Sequence, residues 1–119
     1  LDAYLGADAY GWGHTFANSL SSCLPNASIY HNAGYACWGI NVANGNILGI
    51  ALNVDAGTIM IYINGSSQGI MYSGLTGTVY AAIGGDIAAP TTTVIGTANF
   101  GASAFAYSVP SGYNSGLYT

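Results

Sequence analysis

Apolar and polar positions alternate with a period of two through the middle of the chain and with a period of 3.6 nowhere, which argues for strands. The clearest stretch runs from Gly45 to Tyr72, GNILGIALNVDAGTIMIYINGSSQGIMY. Ile47, Leu48, Ile50 and Leu52 form a first apolar run, and Asn53-Val54-Asp55-Ala56-Gly57 supplies turn formers. Thr58 to Ile63 is β-branched and aromatic, and Asn64-Gly65 follows. Asn-Gly between two apolar runs is the strongest short-range hairpin signal, because both residues tolerate positive φ. Gly69 to Tyr72 then reads as the returning strand, so this stretch predicts a β-meander.

The flanks carry weaker strand signals. Leu1 to Phe16 reads as a loop leading into a short strand at Trp12. Asn18 to Asn26, with Pro25, reads as loop. Ile29 to Gly39 is aromatic and glycine-interrupted, and Ile40 to Val42 is a candidate short strand. Val79 to Ile83 reads as a buried strand, Gly84 to Thr92 as a loop in which Pro90 bars a central strand position, and Thr93 to Phe100 as a β-rich stretch. Strand signals every 8 to 12 residues argue for an all-β antiparallel two-sheet sandwich rather than a βαβ sheet. A length of 119 residues suits one domain, 1–119.

Charge narrows the function. The chain has no Lys or Arg and only four acids, Asp2, Asp8, Asp55 and Asp86. Nucleic-acid binding is excluded in practice because phosphate neutralisation needs basic side chains, and attraction to acidic membranes fails for the same reason. Although 51% of residues are apolar, no apolar run approaches the ~18 residues of a membrane span. A surface of Ser, Thr, Asn, Gly and Tyr fits an extracellular or virion-associated protein, or one packed in an assembly.

Candidate chemistry is sparse. Without Glu, paired-carboxylate hydrolysis is poorly supplied; His14 and His31 are the only imidazoles, and no G-x-S-x-G motif accompanies them. No catalytic residue, metal ligand set or cofactor is assigned. Cys23 and Cys37 either close a short disulfide loop in an oxidising compartment or remain buried thiols. The aromatic and amide residues before the meander are a better lead. Tyr10, His14, Asn18, Tyr30, His31, Asn32 and Tyr35 are the candidate ligand-binding set, since ring faces beside amide groups suit peptide or sugar recognition. Trp12 and Trp38 read as core. Two glycosylation sequons, at Asn26 and Asn64, add little, because Asn64 is already explained as a turn residue.

The segment Ile47–Ile59, continuing through Tyr62-Ile63-Asn64-Gly65, resembles the SPRY-domain signature, which commonly reads IGIALDLDAGTITFYKNG. Tyr10-Gly11-Trp12-Gly13, Tyr30-His31-Asn32 and Thr97-Ala98-Asn99-Phe100-Gly101 match in the same order. The tail, Phe105-Ala106-Tyr107 with Pro110-Ser111-Gly112-Tyr113, is similar to the ending of bacterial and phage members. Ile63 stands where the family pattern has Lys, and Asn53 where it has Asp. The resemblance implies a bent sandwich like that of concanavalin A-type lectins, whose loops bind a protein segment or another ligand, with no common catalytic residues and no cofactor. It also implies strands ahead of the Trp-Gly segment, on the order of 40 residues, so that this chain corresponds to the C-terminal two-thirds of a family domain. The expectation is therefore an incomplete sandwich finished by a protein partner or by self-association, with a glycan as the alternative ligand. The meander is expected to carry the fold and none of the binding.

Overall fold

A computed structural model describes residues 8–15, 23, 27–39, 41–83 and 95–117. The described residues are all-β, with no α-helix and two antiparallel three-stranded sheets. The first sheet comprises β1 (Trp12–His14), β2 (Ala27–His31) and β3 (Gly34–Trp38), in that order; the second comprises β4 (Leu48–Asn53), β5 (Thr58–Ile63) and β6 (Ser66–Ser73).

The second sheet is the expected meander. β5 alternates strictly, burying Ile59, Ile61 and Ile63 while Thr58, Met60 and Tyr62 face the other side. Its two turns follow from their residues. Asn64 and Gly65 both take positive φ (50° and 80°), so a two-residue turn pairs Ile63 with Ser66. The Asn64 side-chain oxygen also accepts the Ile47 amide at 2.9 Å, tying the turn to the start of β4. In the β4–β5 turn, Asn53 Oδ1 accepts the Ala56 amide at 2.9 Å. Gly57 closes that turn at φ 62°, where a Cβ would lie 2.6 Å from the Leu75 carbonyl oxygen. That close approach lets the Leu75 amide donate to the Gly57 carbonyl and seats Leu75 in the core.

Ile59, Ile61, Ile63 and Leu75 form the core cluster, and Trp12, Trp38, Leu48, Leu52, Tyr72 and Val79 pack against it half-buried. Both tryptophans therefore carry first-sheet surface onto the second sheet. Across the first sheet, Trp12 pairs with His31 and Ala27 with Trp38, which puts these residues on one face. The opposite face is held by a disulfide between Cys23 and Cys37. Cys23 is buried there, as is Ser28, the register partner of Cys37. The loop it closes spans 14 positions.

Four stretches differ from the sequence reading. Ile29 to Gly39 resolves into a hairpin whose two-residue turn is Asn32-Ala33, both at positive φ (52° and 59°). Val79 to Ile83 is not a strand. Val79 packs on the core, but Tyr80 and Ile83 are exposed at 85% and 71%, and the segment joins no ladder. An apolar run becomes a strand only where a neighbour takes up its backbone groups. Residues 95–100 likewise form no strand; there Asn99 organises a turn, its Oδ1 accepting the Gly101 amide and its Nδ2 donating to the Ser103 carbonyl. The candidate strand at Ile40–Val42 is absent at residues 41 and 42; Ile40 lies outside the described residues.

Candidate functional site

β2 brings Ile29 and His31 to the face that meets the second sheet, and β3 sets Ala36 and Gly34 directly opposite them. Tyr72 of β6 reaches over from the second sheet. Together with Tyr35 these residues line an open hollow of about 250 Å³, the size of one or two side chains or a single sugar ring. Its lining is mostly carbon.

The aromatic wall is fixed in place by backbone. The Tyr72 hydroxyl lies 2.7 Å from the Tyr30 carbonyl and 2.9 Å from the Gly13 carbonyl, so one proton is shared between two acceptors on adjacent strands of the other sheet. Burial pushes its pKa up to about 12, so the hydroxyl stays a donor at physiological pH. His31 stacks on Trp12 with ring centroids 5.1 Å apart and planes 7° from parallel, and presents its edge to Tyr72. Its Nδ1 lies 2.8 Å from the Gly11 carbonyl oxygen, which can only accept, so Nδ1–H is the donor there.

The expected binding residues separate into several environments. His31 and Tyr35 line the hollow. Tyr30 pairs with Tyr35 across the strands, with centroids 6.3 Å apart and planes tilted by 41°, on the opposite face of the sheet. Tyr10 is 88% exposed on a turn where Asp8 Oδ1 accepts its amide. Asn32 is the first turn residue of the β2–β3 hairpin, and its amide donates to the Asp8 carbonyl, which places Tyr10 near the hairpin tip. His14 sits at the end of β1, edge-on to Trp38 at 6.0 Å, and burial lowers its pKa. Asn18 lies outside the described residues. The hollow also uses Tyr72, Ile29, Gly34 and Ala36, which sequence reasoning did not select. Tyr72 belongs to the meander, so the meander contributes a wall as well as the fold. Unbroken pairing from the Asn64-Gly65 turn would set Ile70 opposite Ile59; two bulges in β6, which no turn signal marks, bring Tyr72 there instead.

Among the described residues no three His, Cys, Asp or Glu side chains gather as a metal site. The hollow has no acid–base pair; its chemistry is contact with an uncharged group against aromatic and aliphatic walls. No protein-family model, characterised protein or solved structure matches the chain.

Proposed function

We propose that the chain is a non-catalytic recognition or assembly module, a SPRY-like β-sandwich that engages a protein segment. The observation that carries this reading is the carbon-lined hollow beside the exposed strand β3, lined by Ile29, Ala36 and Tyr72. Extended peptides bind sheet proteins by setting alternate side chains into such hollows. With no Lys or Arg in the chain, an acidic segment would find no ionic partner, so the fitting segment is uncharged and aliphatic. The disulfide supports an oxidising setting, extracellular or virion-associated. An array of immobilised peptides alternating Ser with Val, Leu, Ile or Pro tests this. Binding that is lost in Ala36→Asp supports it, whereas binding indifferent to Ala36→Asp sinks it.

A carbohydrate-binding module is the second reading, favoured by the tilted Tyr30–Tyr35 pair, whose rings suit stacking on a sugar. A glycan array with Tyr30→Ala and Tyr35→Ala controls tests it, and a blank array removes it.

A further inference from the structure

We infer that the outer edge of β4 is a homodimer interface, at which two copies pair β4 against β4 about a twofold axis centred on Ile50. This deepens the assembly side of the proposed function, naming the surface and its occupant.

Backbone parity shows which groups that edge presents. The Asn64 amide donates to the Ile47 carbonyl, so Ile47 bonds inward to the β5 side. In an antiparallel ladder bonded and non-bonded pairs alternate. Gly49, Ala51 and Asn53 therefore also bond toward β5, through their partners Tyr62, Met60 and Thr58. Leu48, Ile50 and Leu52 turn their N–H and C=O groups outward, and among the described residues β4 has no neighbour on that side.

The side chains point to what covers the edge. Leu48, Ile50 and Leu52 lie on the face of Ile63, Ile61 and Ile59, their register partners. Ile61 is 1% exposed, yet Ile50, directly opposite it, is 65% exposed. The core face thus runs out to the edge and stops there uncovered. Ile47 and Val54, just beyond the ends of β4, are also exposed apolar residues. The edge has none of the usual protection: no Lys, no Pro and no inward-pointing charge.

The occupant is argued from the strand's own order. Leu48-Gly49-Ile50-Ala51-Leu52 reads large, small, large, small, large from either end. Antiparallel pairing about Ile50 sets Ile50 against the partner's Ile50 and Leu48 against the partner's Leu52. Gly49 then meets the partner's Ala51 on the other face. The outward groups of Leu48, Ile50 and Leu52 are those such pairing bonds, giving about six backbone hydrogen bonds. β4 itself carries no charged residue, so pairing it with its copy sets no like charges opposite one another.

Sedimentation velocity on the disulfide-intact chain, over about 1 to 100 μM, the upper range in which standard interfaces form, tests the inference. The expected result is a concentration-dependent species of twice the chain mass. Ile50→Lys sets two ammonium groups across the axis and is expected to weaken dimerisation roughly a hundredfold or more. Ile50→Pro removes a donor that β5 does not use, and has the same expected effect. Ile70→Lys, at an exposed position of β6, is expected to leave the dimer intact. Ile50→Cys is expected to give a dimer band on a non-reducing gel that dithiothreitol removes, since bonded antiparallel pairs sit about 5.5 Å apart at Cα, within disulfide reach. Circular dichroism of each variant separates loss of dimer from loss of fold. A monomer throughout the range overturns the inference, as does a dimer indifferent to Ile50→Lys and Ile50→Pro. Either result leaves the peptide array to decide the recognition reading by itself.

Discussion

The two sheets are held by different means. The second sheet is a side-chain structure: β5 drives three isoleucines into one cluster, and neighbours pack around them. The first sheet buries little of its own. β3 is exposed from Gly34 to Cys37, and its order comes from a disulfide, an aromatic stack and backbone capping. Thr15 shows the last of these. Its hydroxyl donates to the Ser28 carbonyl and accepts the Ser28 amide, while its own amide donates to that same carbonyl. One sheet rests on water expulsion, which scales with buried carbon area; the other rests on cross-links, whose loss is local. A recognition surface belongs on the second kind of scaffold, because an exposed strand can accept a partner without opening the core.

The largest effect separating the two modes is expected at Ile61. Ile61→Ala removes a fully buried side chain and is expected to cost about 2–5 kcal/mol, read as a lower midpoint in guanidinium with both sheets unfolding together. Cutting the disulfide tests the other mode. Cys23→Ser with Cys37→Ser is expected to cost around 3 kcal/mol for a loop of this length. Here hydrogen exchange should speed up first over residues 27–38 and leave β5 protected. If β5 exchanges as fast as β2, the two sheets are not separately held.

Tyr72 sharpens the comparison because it joins the sheets. Tyr72→Phe leaves two carbonyls without their donor and is expected to cost about 1–2 kcal/mol, with loss of the hollow's wall geometry and of any peptide binding there. Ser28→Ala runs the other way. The Ser28 hydroxyl is buried with no hydrogen-bond partner, so removing it is expected to leave stability unchanged or raise it by up to about 1 kcal/mol. A clear destabilisation would show that the hydroxyl has a use.

The smallest effect is expected on mild acidification, through His14. Burial lowers its pKa in the folded state, so the unfolded chain binds the proton more readily. Stability contributed by neutral His14 is then fully present above the unfolded value of about 6.5 and falls as pH drops below it, until the folded pKa is passed. His14→Gln is expected to flatten the melting-temperature profile between about pH 7 and 5.

How far the fold could be read from sequence depended on how local its causes are. β4, β5 and β6 were legible because their apolar alternation and their Asn-Gly turn lie within a few residues of each other. The Asn32-Ala33 turn was not, because alanine seldom takes positive φ and gives no turn signal. Nor could the apolar content of Val79–Ile83 reveal that, among the described residues, no strand pairs with it. The hollow was half legible: His31 and Tyr35 stood out as aromatic or imidazole residues outside the meander. Tyr72 and Ala36 come together only through contacts between the two sheets, a relation that no short window of sequence contains.

The Tyr72 hydroxyl also bears on how fast the molecule forms. Its bonds join residues 42 and 59 positions apart, whereas the β2–β3 hairpin and the meander close over short turns. Short loops close before long ones reward closure. The two sheets should therefore assemble separately and early, with their union the late, slow event. Tyr72→Phe should then leave the refolding rate nearly unchanged and quicken unfolding.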